Sequence, residues 1–286
     1  MNPTEPGHCE VAIVGIARNC ARSIERDLAG LLRAASIFRR VHVLVVESDS
    51  DDRTPELLAQ LSSRMPALRH LSLGRLRDQL PQRTARIAHC RNACLDELAA
   101  NPLYAAVTHV LVSDLDGVSR DLDSAALASC WRAEAPAWDM CAANQGDYYY
   151  DIWALRHPMW CPADAWAEQR ALVPVLGTRA ADEIALFSRM VHIDPRRPMI
   201  EVDSAFGGLA LYRRDALLAA RYVGLDANGA EVCEHVTLHA QMRADGARLF
   251  VNPALINARQ TKHAGRKKLW RTLRRRMWNA LRGVEA

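Results

Sequence analysis

Hydrophobic and polar residues alternate along the first 120 positions with two different periods. Four short, nearly continuous apolar runs are typical of strands covered on both faces of a parallel sheet. They are residues 9–17, 41–46, 68–73 and 108–112. Between them, apolar residues three or four positions apart predict helices at 23–35, from 54 onward and at 83–100. The alternation predicts a parallel sheet with right-handed crossovers and helices on its faces.

After residue 117 this regular alternation ends. Shorter apolar segments predict strands, and a helix is expected to start at Cys233. The predicted strands are 139–143, the aromatic stretch 147–155 and 248–251, and the stretch 200–212 has a Gly-Gly pair at the mouth of another strand. Residues 156–180, which contain prolines, tryptophans and a glycine, predict a long loop, and 181–191 a short helix. The second half is therefore expected to be less regular than the first.

Two carboxylates follow the fourth apolar run. Asp114 and Asp116 are one residue apart, so in an extended segment they point the same way, and Gly117 lets the backbone turn. Hard oxygen ligands of this kind suit Mg²⁺ or Mn²⁺. Arg18 and Glu47 follow the first two strands, at the sheet edge where such folds bind ligands. The alternative is a polar turn at a strand end, with no ligand.

Composition limits the class of protein. Half of the 286 residues are hydrophobic, which suits one large α/β domain, and no apolar run is long enough to span a bilayer. Residues 1–8 are polar and lack the apolar region of a signal peptide, so a cytoplasmic location is expected. The eight cysteines are scattered and form no CxxC pair, which predicts reduced, mostly buried thiols.

Positive charge is concentrated at the end of the chain. Residues 262–286 carry nine Lys or Arg and one Glu, whereas the rest of the chain is net acidic. As a helix, 266–282 would be basic on one side and apolar on the other. This favours either an anchor on an anionic membrane, on the cytoplasmic face of the inner membrane, or a terminal helix packed on the domain. Nucleic acid is not expected as a partner, because the remainder is acidic.

Several segments recur in the same order in one enzyme family. They are 11–19, 43–52, 86–95, 113–116, 149–154, 204–212 and 233–235. Together they resemble GT-A glycosyltransferases, and among these the fungal capsule-associated α-1,3-mannosyltransferases, over roughly residues 11–257. The resemblance implies an α/β, Rossmann-like fold with a mixed, mainly parallel sheet flanked by helices, and a GT-A domain (9–260) with nucleotide-binding (9–117) and acceptor (118–260) halves. Outside this domain, the polar residues 1–8 are expected to be disordered, and 261–286 to form a basic amphipathic C-terminal helix.

The same resemblance implies a metal-dependent transferase with Mn²⁺ or Mg²⁺ and a nucleotide-sugar, GDP-mannose being the favoured donor. The acceptor would be a hydroxyl of a glycan or a lipid-linked molecule in surface polysaccharide synthesis. The donor-binding positions carried over are Ala17, Arg18, Glu47, Arg91, Asp114, Gly207 and Gly208. The metal ligands carried over are Asp114, Asp116 and His263, and the catalytic positions are Glu234 and Asp116.

Each of these positions also has a structural interpretation. Arg91 could serve only as an ion-pair partner, and Glu234 only as a carboxylate favoured by a helix N-terminus. His263 lies in a basic segment, and His235 and His239 lack the glutamate of an HExxH site, so packing is expected of them. If the reaction inverts, Glu234 would be the general base, whereas a retaining reaction needs none.

Two other function classes fit parts of the pattern. A nucleotidyltransferase of similar build also uses paired aspartates and Mg²⁺, but the loop after its first strand is expected to be glycine-rich. Here Gly15 is the only glycine in residues 15–19. The third class is a membrane-docked scaffold that keeps the fold without turnover.

Overall fold

The structure is a computed structural model that describes residues 5–260 and 278. Within these residues the sequence forms one sheet and helices on both of its faces. The strands are β1 (Glu10–Ala17), β2 (Arg40–Glu47), β3 (Leu68–Ser72), β4 (Val107–Ser113), β5 (Met140–Gln145), β6 (Ile200–Glu201), β7 (Leu209–Arg213) and β8 (Leu249–Ala258). The α-helices are α1 (Ile24–Ala34), α2 (Thr54–Arg64), α3 (Arg83–Ala100), α4 (Ser124–Ala128), α5 (Ala165–Ala181), α6 (Arg214–Leu218) and α7 (Glu234–Ala244).

The eight strands lie in the order β3-β2-β1-β4-β7-β5-β8-β6. The first four are parallel, whereas β7 runs antiparallel to both β4 and β5. The predicted α/β class, with a mixed and mainly parallel sheet flanked by helices, is confirmed. Because β1, β2 and β4 are parallel neighbours, their carboxyl ends meet at one edge of the sheet, and the residues that follow them share one region.

Alternate residues of the central strands enter two separate cores. In β4, Val110 and Val112 belong to the core on one face, together with Leu95 and Leu98 of α3. Leu111 lies in the other core, which also contains residues of α1 and α2. This burial on both faces explains why the strands read as continuous apolar runs. The sheet is therefore a rigid support for the loops at its edge.

Two predictions about the second half were wrong. The aromatic stretch 147–155 is not a strand but an irregular segment after β5 with one turn at 152–154. The loop predicted at 156–180 instead contains the helix α5, whose first turn is capped by the Asp164 carboxylate accepting from the Trp166 and Ala167 N–H groups. Pro174 lies inside this helix, and Gly177 breaks it with φ +75°. These two residues conceal the helix in the sequence.

The remaining expectations concern the cysteines, the two ends of the chain and membrane-spanning helices. No disulfide joins the eight cysteines, and seven of them are buried, as predicted. Pro6–His8, within the segment predicted to be disordered, forms one 3-10 turn. Among the described residues, none of the helices is both long enough and apolar enough to cross a membrane. The predicted C-terminal helix 261–286 and His263 lie outside the described residues, apart from position 278.

Candidate functional site

A cleft of about 400 Å³ opens at the carboxyl ends of β1, β2 and β4. Its size is in the range of small-molecule sites. Cations and carboxylates dominate its polar lining: Arg18, Asp49, Arg83, Arg86, Arg91, Asp114, Asp116, Asp151 and Glu234. The apolar part includes Ile16, Ile87, Trp153 and Phe206. The cleft thus presents both signs of charge against an apolar wall, at the edge where the sequence predicted a site.

The Asp114–Asp116 turn is fixed by residues of β1 and α1. A Cβ on Gly15 would lie 2.7 Å from the Leu115 side chain, so only glycine leaves room for the residue between the two aspartates. The Ser23 hydroxyl, just before α1, donates to the Leu115 carbonyl at 3.0 Å. Because these two contacts hold Leu115 in place, the backbone sets the direction of the Asp114 and Asp116 side chains.

Gly15→Ala is therefore expected to destabilise the protein by about 1–3 kcal/mol, the usual effect of overpacking. It is also expected to weaken whatever binds at Asp114 and Asp116. The matched control is Gly30→Ala in α1, where the nearest atom to the new Cβ is 3.7 Å away. That change should be neutral or stabilising, by up to about 1 kcal/mol. Urea unfolding measures both, and a Gly15→Ala protein as stable as wild type would contradict the packing argument.

Arg91 of α3 lies between two carboxylates. Its Nε donates to Glu234 Oε1 at 3.0 Å and its Nη2 to Asp114 Oδ1 at 3.1 Å. The guanidinium carbon is 5.1 Å from the centre of the Phe206 ring and 5.7 Å from that of Tyr222, so aromatic faces complete its surroundings. Burial opposes its charge, but the two carboxylates outweigh burial and raise the pKa of Arg91.

Asp114 is less favourably placed for its own charge. Loss of water at the base of the cleft raises its pKa to about 6, although Arg91 acts in the opposite direction. A carboxylate held ionised against burial has much to gain from a further positive charge. This part of the cleft is therefore suited to a cation or to a cation-bearing ligand.

Three contacts between α3 and the segment before α7 hold Glu234 opposite Arg91. The Glu231 carboxylate accepts from the Thr84 N–H at 2.9 Å, at the start of α3. The Asn92 amide makes two hydrogen bonds with the Tyr222 backbone, at 2.9 and 3.0 Å. Glu234 then occupies the first turn of α7, where the helix dipole favours its charge.

Asp151 connects the opposite wall to the Asp114 turn. Its Oδ2 accepts from the Gly207 N–H at 3.0 Å, and the next carbonyl, of Gly208, accepts from the Asp114 N–H at 2.9 Å. Burial raises the pKa of Asp151 to about 6, and the Gly207 N–H opposes this shift. The Asp151 carboxylate on one side of the cleft thus helps to position the backbone of Asp114 on the other side.

Gly207 and Gly208 have φ of +69° and +79°, a region that favours glycine. A Cβ on Gly207 would lie 2.7 Å from the Ala143 carbonyl, and one on Gly208 2.7 Å from the Val118 side chain. The protein itself fills the space that these glycines leave, and neither lines the cleft, whereas the preceding Phe206 does. In the structure these glycines pack within this turn, and the approach of a ligand to them stays a prediction.

Glu47 also lies outside the cleft lining. It is 2% exposed, and its carboxylate accepts from the Ser50 N–H at 3.1 Å and the Ser72 hydroxyl at 2.6 Å. It supports the loop that follows β2 from below. Both of its carboxylate oxygens are used within the protein, and the contact of Glu47 with base or ribose stays a prediction.

Asp49, two residues after Glu47, lies on the cleft lining. It has φ +58°, and its Oδ1 accepts from the Arg77 N–H at 2.9 Å. The Arg86 Nε lies 3.5 Å from its other oxygen. Burial opposes the charge, but the Arg77 contacts outweigh it and lower the pKa of Asp49. Asp49 and Arg86 together form one polar wall of the cleft.

Six predicted positions meet in the cleft: Ala17, Arg18, Arg91, Asp114, Asp116 and Glu234. Sequence reasoning missed Asp49, Arg86, Asp151, Phe206 and His235, which also line it. Asp151 had a signal, since it falls in one of the ordered segments 149–154. Asp49 had only its place in a polar loop after a strand, which it shares with other acidic residues.

A divalent cation such as Mg²⁺ requires hard oxygen donors. Residues 5–260 contain no group of three or more His, Cys, Asp or Glu that could hold a metal. Asp114 and Asp116 are nevertheless hard oxygen donors side by side on the lining. Mg²⁺ is commonly held by one or two carboxylates, with waters and substrate phosphates as the other ligands. The two residues therefore fit a cation that arrives with a phosphate-bearing ligand.

Comparison with known proteins finds likeness at the level of structure alone. No family model matches the chain, and no curated protein matches it. The chain is similar to a mannosyltransferase from Pyrobaculum calidifontis in complex with GDP-Man and Mn²⁺. The two are 18% identical with a TM-score of 0.49, and the match covers 94% of this chain and 61% of that one.

Two further solved structures are similar to the chain. One is residues 1–349 of TarS from S. aureus, at 13% identity and a TM-score of 0.44, with 85% of this chain and 57% of that one covered. The other is glucosyl-3-phosphoglycerate synthase from Mycobacterium tuberculosis with UDP, at 13% identity and 0.43, with 97% and 82% covered. At these identities and scores the likenesses assign neither an activity nor a substrate to this chain.

Proposed function

We propose that this protein is a glycosyltransferase that moves a sugar from a nucleotide-sugar to a hydroxyl acceptor with the help of a divalent cation. The observation that carries the proposal is the group formed by Asp114, Asp116, Arg91 and Glu234 in one cleft at the edge of the parallel strands. Paired carboxylates can hold a cation that stabilises a departing diphosphate, and the acidic residue opposite them can face the acceptor.

The nucleotide is proposed to bind over β1 and β2. Ala17 is the last residue of β1 and Arg18 follows it, and Asp49 and Arg86 form the adjacent wall. The segments that follow β1 and β2 are joined, because the Cys20 N–H donates to the Thr54 hydroxyl at 2.8 Å. An exposed Arg18 offers a charge-assisted hydrogen bond to a phosphate.

Asp114 and Asp116 are the residues that would hold Mn²⁺ or Mg²⁺. The cation, when bound, would neutralise the charge of the departing diphosphate as a Lewis acid. Arg91 keeps Asp114 in place and compensates Glu234, so that three acidic groups can share one small volume. The expected third ligand, His263, stays a prediction.

Glu234 is proposed as the acceptor-side carboxylate. If the reaction inverts the anomeric configuration, its free oxygen would accept the proton of the attacking hydroxyl. If the reaction retains it, Glu234 keeps only its pairing with Arg91. The stereochemistry of the product therefore decides which role Glu234 has.

The finer assignment comes from the ordered sequence segments, which resemble the fungal capsule-associated α-1,3-mannosyltransferases. On that basis GDP-mannose is the favoured donor, and a glycan or lipid-linked molecule in surface polysaccharide synthesis the favoured acceptor. Residues 266–282 are proposed to bind an anionic membrane from the cytoplasmic side. Deleting 266–286 should then weaken binding to anionic liposomes.

The test of the proposal is a panel of nucleotide-sugars, GDP-mannose among them, each with Mn²⁺ and simple glycoside acceptors. We expect one donor to release nucleoside diphosphate at a rate that rises with the acceptor and is abolished by EDTA. Release of pyrophosphate from a nucleoside triphosphate and a sugar phosphate would instead identify a nucleotidyltransferase.

A thermal-shift series with the same donors, with and without Mn²⁺, is the control for turnover. A protein that no nucleotide-sugar stabilises under either condition would contradict the proposal and favour a non-enzymatic scaffold. Binding without turnover would point to an acceptor missing from the panel, which product analysis with larger glycans then resolves.

A further inference from the structure

Two histidines lie one turn apart in α7, and both are buried. His235 is 3% exposed and His239 is fully buried. Burial lowers the pKa of His239 to about 3, and it lowers the pKa of His235 well below its ordinary value. Both rings are therefore neutral, and each carries one nitrogen that donates and one that accepts.

His239 satisfies both nitrogens within the core. Its Nδ1 is 2.8 Å from the Ser204 hydroxyl, and its Nε2 is 2.9 Å from the Tyr212 hydroxyl. Each hydroxyl can rotate to complement the ring. This residue has the purely structural role that the sequence predicted for both histidines.

His235 differs from its neighbour in this respect. Among residues 5–260, neither of its ring nitrogens has a hydrogen-bond partner. The nearest acidic oxygen, Glu234 Oε1, is 3.7 Å from Nε2, which is too far for a hydrogen bond. One face of the ring stacks on Phe206 with the centroids 3.8 Å apart, and Tyr222 meets it edge-on at 5.5 Å.

Buried polar groups in folded proteins are ordinarily hydrogen-bonded, so two orphaned nitrogens on one side chain require an explanation. His235 borders the cleft beside Glu234 and Arg91. Another buried nitrogen at the same place, Arg91 Nη1, also lacks a partner in the described chain. Arg91 and His235 both contact the Phe206 and Tyr222 rings, so their unpaired nitrogens lie in the same part of the cleft.

We infer that His235 binds a hydroxyl group of a sugar ring in the part of the cleft beside Glu234 and Arg91. The inference rests on the proposed function and specifies where the sugar lies. A neutral imidazole with one donor and one acceptor matches a hydroxyl, which also donates and accepts, whereas a phosphate would require a cation. Because the ring borders the cleft, a small rotation when the ligand enters brings a nitrogen within reach.

The test compares His235→Phe with the matched control His239→Phe. The first keeps the aromatic stack and removes two unpaired nitrogens, so the free protein should melt at the wild-type temperature or above it. The second leaves the Ser204 and Tyr212 hydroxyls without partners, so its melting temperature should fall. His235→Gln retains a donor and an acceptor and should recover part of any lost function.

The ligand measurement uses thermal shifts with Mn²⁺ and either GDP or GDP-mannose, or the corresponding pair for whichever donor stabilises wild type. We expect the extra stabilisation given by the sugar to fall at least several-fold in His235→Phe, while that given by the nucleotide alone is retained. The extra stabilisation given by the sugar could instead be unchanged in His235→Phe while the KM for the acceptor rises at least several-fold. That result would place the hydroxyl on the acceptor's sugar.

Two results would overturn the inference. One is a free His235→Phe protein that melts as far below wild type as His239→Phe. The other is a His235→Phe protein in which the extra stabilisation given by the sugar and the KM for the acceptor both stay at wild-type values. A wild-type protein that responds to no nucleotide-sugar would overturn the proposed function together with this inference, and it is recognised before any variant is made.

Discussion

Asp116→Ala is expected to lower metal-dependent sugar transfer by about 10³-fold or more, because a lost cation removes several kcal/mol of charge stabilisation from the departing diphosphate. The fold should be unaffected. Asp116 is exposed, and within the described residues its carboxylate accepts one long hydrogen bond, from the Val118 N–H at 3.3 Å. The free energy of unfolding should change by less than about 0.5 kcal/mol. Nucleoside-diphosphate release with Mn²⁺ and urea unfolding measure the two effects.

The matched control is Asp96→Ala on the surface of α3. Asp96 is exposed and pairs with Arg221 at 3.1 Å, away from the cleft lining. An exposed pair of this kind contributes little, so activity and stability should stay at wild-type values. Full activity of Asp116→Ala, or wild-type activity that EDTA leaves unchanged, would contradict the proposed metal site.

The parallel half of the fold could be predicted from the sequence because its signals are local. Strands buried on both faces read as continuous apolar runs, and the helices between them carry regular apolar stripes. The predicted bounds of α3 agree with the structure at both ends. The common edge of β1, β2 and β4 follows from the alternation alone, and so does the meeting of Arg18, Asp114 and Asp116.

The second half lacked such signals. The stretch 147–155 is rich in aromatic residues, which favour strands. Tyr149 nevertheless does not lie in a strand. Its hydroxyl accepts a hydrogen bond from the Phe206 N–H at 3.0 Å. In α5 only Ala165 and Ala181 are buried, so there is no apolar stripe to recognise. The capping Asp164 was the one local sign of that helix.

The roles of the site residues depend on contacts between distant parts of the chain. Arg91 and Glu234 are 143 positions apart, yet they form a buried pair. Nothing in the local pattern distinguishes His235 from His239, and only the position of Ser204 and Tyr212 beside one of them separates their roles. Residue types and strand ends therefore locate the cleft, whereas the partners within it come from the structure.

Arg91→Met is expected to lower the free energy of unfolding by roughly 3–5 kcal/mol, the usual loss when one member of a buried ion pair is removed. Glu234 and Asp114 would then face each other without their shared cation. The pKa of Asp114, already raised by burial, should rise further without Arg91, so this carboxylate destabilises the fold more once the pH is above its unfolded pKa. The loss should accordingly be larger at pH 7.5 than at pH 5. Urea unfolding at the two pH values measures the difference.

The double variant Arg91→Met/Glu234→Gln separates this explanation from simple loss of packing. Removing one of the two uncompensated carboxylates should make the double variant more stable than Arg91→Met alone. Arg221→Met is the matched control, because Arg221 is 49% exposed and pairs with Asp96 at the surface. Its effect should stay within about 1 kcal/mol. If Arg91→Met were equally destabilised at both pH values and not relieved by Glu234→Gln, then the arginine would act through its packing against Phe206 and Tyr222 and not through its charge.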